Sequence, residues 1–389
     1  MHSNLQGHPK KLLVVSDTAM QYAPDGVKAF GPVAKELIHL LEEFDEITWI
    51  GFEKKQKNNS LVLINNEKIH PILLENVGGQ RLKDKLNILA SYPKMFRVIL
   101  KEVKKHQFIH SRAPSNPSVI VMFLSLFFTK KQFWHKYAGS WIDSASFFYE
   151  LQRLFLKKLR KNSKITINGD YGLSNKNIIS FENPCLDGLD RVNGKAIVAV
   201  KTIPTLYNFC FVGGLTRNKG VDKILEALTQ IKPKQIGEFH FVGDGPERKT
   251  FETMAEITEI KTIFHGFLAK DDICNIYKKC HFIVLPSKSE GFPKVIGEAM
   301  NYGCVSVVSD VSCISQYVKH EENGFLINPI ISVSLVDQLL KAISLSHYSF
   351  QKMIEENYKL SKKFTYDYYN NRIVNEVFEI QKHKNINND

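Results

Sequence analysis

Residues Leu285–Asp310, LPSKSEGFPKVIGEAMNYGCVSVVSD, constrain this chain more than any other stretch. His281 to Leu285 is a short apolar run with β-branched members, stopped by Pro286 and Ser287, and it reads as a buried parallel strand. The loop Ser287 to Phe292 then lies at that strand's carboxyl end. Open α/β sheets bind ligands there, where a helix start offers free N–H groups to phosphate. Gly291 lets the backbone approach a ligand, and Pro293 suits the first helical position because its missing N–H would have no partner. The spacing predicts a helix to about Tyr302, capped by Gly303. Glu290 and Glu298 flank the turn, and Lys294 shares a helix face with Glu298. Two carboxylates beside a phosphate-binding helix start fit recognition of sugar or ribose hydroxyls, because charged acceptors make the stronger hydrogen bonds. Taken as isolated residues, the same acids also fit a Lys294–Glu298 pair on a solvated face and a decorated loop.

The strand, turn and helix rhythm recurs along the chain. KKLLVVSDTAM reads as a strand running into a polar loop, with Gly26 and Gly31 before a helix bearing Val33, Leu37, Leu40 and Leu41, and EITWIGF as a second strand. FCFVGGLTRNKGVDKILEALTQI, FHFVGDGPERKTFE and IFHGFLAKDDICNIYKKCHFIVLPS repeat the pattern in the second half. This is the alternation of doubly wound sheets, and 389 residues suffice for two such domains. The turn Gly243-Asp244-Gly245 lacks a third glycine, so it does not read as a nicotinamide site.

Charge is uneven. Met1 to Pro204 holds 30 basic and 18 acidic residues, whereas Thr205 to Asp389 holds 22 of each, so the formal charge of +12 belongs to the first half. That half is expected to meet something anionic. No nucleic-acid motif accompanies the charge, and no nucleic-acid partner is expected. No apolar run reaches the roughly 18 residues of a membrane-spanning helix, and Leu12 to Val15 are too few for a signal peptide. The six cysteines show no metal spacing and read as reduced thiols of a cytoplasmic protein.

The central string resembles the nucleotide-sugar-binding signature of the retaining glycosyltransferases of family 4, E-G-F-x-x-V-x-x-E-A-M, through Glu290, Gly291, Phe292, Val295, Glu298, Ala299 and Met300. The resemblance implies the GT-B fold: two Rossmann-like domains facing across a cleft, here residues 1–200 for the acceptor and 205–360 for the donor, with 361–389 returning to the first domain. It implies that Glu290 meets the donor sugar and Glu298 the ribose hydroxyls, with Pro293, Lys294 and Val295 beside them. The turn Gly213 to Gly220 resembles the family's G-R-L-x-x-x-K-G loop, in which arginine and lysine grip the donor diphosphate. Lys219 matches the lysine, but Gly214 stands where arginine is expected, and Arg217 is the nearest substitute. By the same resemblance Gly213, Gly243 and Gly245 line the nucleotide pocket and Phe267 lies near the base. Neither a metal nor a cofactor is implied, and the donor nucleotide sugar is a substrate.

In the first half, HSRAPSNP ends a strand and offers His110 and Arg112, with Gly26, as acceptor-side candidates; His110 equally fits a structural histidine. FWHKYAGSW resembles a K-Y-A-G-x-W string of bacterial cell-surface polysaccharide glycosyltransferases. Ser118 to Phe128 is apolar but too short to cross a bilayer, so it reads as a buried helix or an interfacial segment. Phe147 to Lys164 places Leu151, Leu154, Phe155 and Leu159 on one stripe among basic residues. Such a helix either covers the sheet or lies on an anionic membrane at the inner face of the cytoplasmic membrane. The expected partners are therefore a nucleotide sugar, a glycan or lipid-linked acceptor, and an anionic membrane surface. A nucleotide-sugar epimerase or hydrolase, and an inactive binding protein, are the alternatives on the same fold.

Overall fold

A computed structural model of the protein describes residues 9–54, 61–75, 82–203, 206–232 and 236–380, the side chains of 82–89 excepted. The described residues form two compact units. The first holds the chain up to Ile167, Tyr171–Phe181, and the segment from Asn370 on; the second holds Asn168–Asp170 and Glu182–Tyr369.

In the first unit, β1 (Lys11–Ala23) is the central strand. It pairs antiparallel with β2 (Gly26–Phe30), and the helix α1 (Gly31–Leu40) follows. The remaining strands are β3 (Glu46–Glu53), β4 (Leu61–Leu63), β5 (Ile69–Leu74), β6 (Phe108–Ala113), β7 (Gln132–Tyr137), β8 (Ser163–Ile167) and β9 (Ile178–Ser180). Parallel pairing runs β5-β3-β1-β6-β7-β8-β9, and β4 extends the hairpin through β2. The polar loop expected after Met20 is instead strand. β1 continues past an irregularity between Val15 and Ala19 and turns into β2, where Gly26 takes a φ of 135°. Leu13, Val15, Ile50, Ile99, Ile109, Val121 and Phe133 fill the core between sheet and helices. These include residues of α2 (Leu82–Lys105) and α3 (Asn116–Ser125). Ser115 caps α3 by accepting from the Ser118 N–H, and the apolar run that includes Ile120, Val121, Met122 and Leu124 is a buried helix. Among the described residues no helix is long and apolar enough to cross a membrane.

The helix α4 spans only Phe147–Lys157 and splits its predicted stripe. Leu156 and Leu159 point inward, Phe155 is half-buried, and Leu151 and Leu154 are exposed. After Arg372 the last segment continues as a π-helical turn, Ile373–Val377. Phe378 then packs edge-on against Phe44, Phe108 and Trp134, and the Asn370 amide donates to the His39 carbonyl at 2.8 Å.

The second unit is a six-stranded parallel sheet of β10 (Tyr207–Val212), β11 (Ile236–Val242), β12 (Lys261–Gly266), β13 (Phe282–Leu285), β14 (Val305–Ser309) and β15 (Gly324–Ile327). The order is β12-β11-β10-β13-β14-β15, the classical nucleotide-binding order, so β10 and β13 flank the topological switch point. The strands read as near-continuous apolar runs because helices cover both faces of a parallel sheet. The helix α5 (Gly188–Val200) belongs to this unit. Asp187 and Asp190 cap it reciprocally at 2.9 Å each way. Residues 182–200, given to the acceptor domain by the resemblance, thus belong to the second unit. The buried carbonyl and amide groups of Asn301 hold α5, as does Arg191, which donates to Asn301 at 2.8 Å.

Candidate functional site

Three glycine turns line the carboxyl edge of β10, β11 and β12. The Gly213 N–H donates to the Val242 carbonyl at 2.9 Å and the Gly243 N–H to Gly266 at 2.8 Å. Gly243 has a φ of 127°, and a β-carbon there would lie 1.9 Å from the Gly213 carbonyl oxygen. Only glycine fits, because the two backbones touch. Gly245 similarly lies against the Leu215 carbonyl. Gly214 differs: a β-carbon there would meet nothing nearer than 4.0 Å.

Beyond this edge, Thr216 caps the short turn Arg217–Lys219, and Gly220, at φ 76°, starts α6 (Val221–Leu228). A β-carbon on Gly220 would fall 2.2 Å from the Pro286 carbonyl oxygen, so the β10 turn presses on the end of β13. The Lys288 N–H donates to the Asn218 carbonyl at 2.9 Å across the same junction. These contacts bring Lys219 and Glu290 together as an ion pair, with the glutamate side chain buried and the lysine partly open. Ser287, at the start of the same loop, is fully buried, and among the described residues its hydroxyl has no hydrogen-bond partner. Arg217 does not join the pair. Its backbone and guanidinium N–H groups donate to Glu247 at 2.9 and 3.1 Å, and its side chain is exposed.

The helix α9 runs Lys294–Asn301, so Pro293 occupies the cap and not the first helical position. Gly303 takes a φ of 69°, as expected of a helix-end glycine. Glu298 lies on this helix and accepts from the Tyr277 hydroxyl at 3.1 Å. Tyr277, on α8 (Lys270–Lys279), is fully buried. Burial raises the Glu298 carboxyl above its ordinary value; the Tyr277 hydroxyl and the lysines at 294 and 270 oppose that rise. Lys270 itself pairs with Asp187 and Asp190, and Tyr302 donates to Asp190 at 2.9 Å. Nothing in the spacing of Tyr277 marked it. It reads as one more apolar residue of a buried helix face.

Of the remaining donor-side candidates, Phe292 is core: its ring stacks on Phe364 at 4.8 Å and meets Tyr317 at the same distance. Val295 packs against the cluster that contains Ala299 and Tyr302. Gly291 contributes its carbonyl to the Cys313 thiol, and Phe267 stands exposed beyond β12.

In the first unit His110 is not a surface contact. It is fully buried, stacks on Trp134 at 3.6 Å, and is held well below the ordinary imidazole value, first by burial and then by Arg112. Arg112 donates to Glu36 at 2.7 Å, and Lys136 donates to both oxygens of the same carboxylate at 3.0 Å. Glu36, on the inner face of α1, is 1% exposed. The sequence passed over it as an ordinary helix acid. Gly26 lies in the β1–β2 hairpin, opposite Ala23.

Residues 197–360 match the family model described as Glycosyl transferases group 1. An uncharacterized glycosyltransferase of Methanocaldococcus jannaschii is 31% identical over 178 residues, 44% of this chain and 44% of that protein. The N,N'-diacetylbacillosaminyl-diphospho-undecaprenol alpha-1,3-N-acetylgalactosaminyltransferase of Campylobacter jejuni is 30% identical over 107 residues, 28% of this chain and 27% of that protein. The chain spans under half the length of the first curated relatives it matches, between 41% and 45%. Among solved structures, Anabaena HepE in complex with UDP and glucose superimposes with a TM-score of 0.69 at 18% identity, covering 96% of this chain and 100% of that one. The fold is GT-B, and its second unit is the part similar in sequence to the group 1 glycosyl transferases.

Proposed function

We propose that the protein is a retaining, metal-independent glycosyltransferase that moves a sugar from a nucleotide diphosphate to a glycan or lipid-linked acceptor in bacterial surface polysaccharide synthesis. The observation that carries the reading is the meeting of Lys219, from the turn after β10, with Glu290, from the loop after β13. It lies at the switch point where such sheets bind nucleotides. Lys219 and the start of α9 oppose the charge that grows on the leaving diphosphate, an electrostatic role that usually contributes most to catalysis. Glu290 addresses the donor sugar and Glu298 the ribose hydroxyls. The lipid-linked acceptor in the name of the Campylobacter relative, and the basic first unit, support an anionic acceptor reached at the inner face of the cytoplasmic membrane.

The test is a thermal-shift screen against UDP, GDP, CDP, dTDP and their sugars on the parent, Glu298→Ala and Lys219→Ala, since a ligand of the folded state raises the melting temperature. One nucleotide that stabilises the parent and neither variant upholds the donor site and identifies its base. The engagement of Arg217 by Glu247 favours a second reading, a binding protein with a weakened diphosphate grip. A parent that responds to no nucleotide selects it. Donor turnover without an acceptor selects an epimerase or hydrolase.

A further inference from the structure

The helix α4 turns an apolar stripe outward. Phe147, Leu151 and Leu154 follow i, i+4, i+7 spacing and share one face, and they are 84%, 52% and 54% exposed. Ile142 in the preceding loop and Phe148 are exposed with them. This outward face does not reflect a loosely held helix. On the opposite side Leu156 and Leu159 enter a cluster with Met122, Tyr137 and Trp141. Arg153 is buried and donates to the Trp141 and Asp143 carbonyls at 2.6 and 2.8 Å, and it pairs with Glu150. The clamp fixes which side faces in, so the apolar residues outside are set there by the fold.

Charge selects the occupant. Lys158, Arg160 and Lys161 extend the helix end into solvent, and among the described residues no carboxylate pairs with them. Glu150, the acid of this helix, is already held by Arg153. A second copy of the chain docked through the same face would offer this basic cluster no free carboxylate from α4, because Glu150 is taken by Arg153. An anionic bilayer satisfies both halves of the surface: Phe and Leu side chains enter the acyl boundary while lysines remain among the headgroups.

We propose that this face of α4 docks on an anionic lipid bilayer, with Phe147, Leu151 and Leu154 as the inserted side chains and the 158–161 basic cluster on the headgroups. The inference deepens the membrane contact of the proposed function but stands on exposure and charge in the first unit, independent of the donor site. The experiment is co-sedimentation of the full chain with phosphatidylglycerol-containing vesicles and with phosphatidylcholine vesicles, for the parent, Leu151→Glu/Leu154→Glu and Lys158→Glu/Lys161→Glu, with sedimentation velocity on each. All changed residues are exposed, and an unchanged melting temperature verifies folding. The expected result is salt-sensitive binding to the anionic vesicles alone, weakened about tenfold or more in both variants. Equal binding by parent and variants overturns the proposal, as does a parent that binds neither vesicle. A parent that self-associates through this face, with Leu151→Glu/Leu154→Glu monomeric, overturns it in favour of a second copy. Vesicle binding without any nucleotide response sinks the transferase reading and leaves this one standing; nucleotide response without vesicle binding does the reverse.

Discussion

Lys219 and Glu290 are 71 residues apart in the chain and are each other's ionic partner. If Lys219 grips the donor diphosphate, the diphosphate must take the ammonium from Glu290, and a carboxylate beside an incoming anion opposes binding. Glu290→Gln removes both obstacles. It should bind the nucleoside diphosphate of the cognate donor several-fold tighter than the parent, on the order of 1 kcal/mol for a partly exposed pair, while turnover with the full donor falls. Calorimetric titration with the diphosphate decides it. Weaker binding by the variant would show that Glu290 assists the diphosphate.

The Tyr277 hydroxyl, donating to Glu298, opposes the rise that burial imposes on its carboxyl. If Glu298 holds the ribose as proposed, that recognition should be present above the raised Glu298 value and lost as pH falls through it. Tyr277→Phe removes the opposing hydrogen bond, so the acid limb of donor affinity should move to higher pH, with KM affected more than kcat. A pH series of KM on parent and variant measures this; superimposable limbs would leave Tyr277 a packing residue only.

Stability runs the other way at the same residue. A carboxyl raised in the folded state makes the folded state the better proton binder. The contribution of Glu298 is then fully present below the ordinary glutamate value and is lost as pH rises through the folded one. Glu298→Gln should melt higher than the parent at neutral pH while losing the nucleotide response. A lower melting temperature at neutral pH contradicts the sign.

Gly220 and Gly214 sit six residues apart in one turn and should respond oppositely. An alanine at 220 needs a left-handed backbone and collides with the Pro286 carbonyl, so Gly220→Ala should cost roughly 2 kcal/mol or more in urea unfolding. Gly214→Ala should be nearly neutral because its surroundings are open. Gly214→Arg then adds the cation that the turn lacks, and nucleotide affinity should rise. An unfolded Gly214→Arg protein would contradict the open geometry.

Glu36 pairs with two cations, the half-buried Arg112 and the buried Lys136. Glu36→Ala removes the buried carboxylate that both cations share and should destabilise the first unit by about 3–5 kcal/mol, whereas an exposed acid such as Glu256 should change little on the same substitution. Chemical denaturation of the two variants compares them.

The parts legible from sequence were those set by local chemistry. The apolar runs and glycine turns of the second half marked β10 to β14 and the helix at Glu298, because a parallel strand buried on both faces must be apolar throughout. The Gly26 hairpin was not legible: β1 continues through polar residues that pair with β2 and β3, and their strand character comes from partners distant in the chain. His110 read as either ligand or core, and its burial against the Trp134 ring was not legible because that partner lies on the next strand.

By itself the sequence determined the two-sheet α/β architecture, the strand-end turns of Lys219 and Glu290, the helix that carries Glu298, and the concentration of charge in the first half, since periodicity and turn chemistry act over a few residues. Tertiary structure alone decided which charges meet and which face a helix hides. Pairing of Lys219 with Glu290, of Tyr277 with Glu298, and of Glu36 with Arg112 and Lys136 depends on strand order, and the outward turn of α4 depends on the Arg153 clamp. Burial and long-range pairing are properties of the packed chain, and no local pattern encodes them.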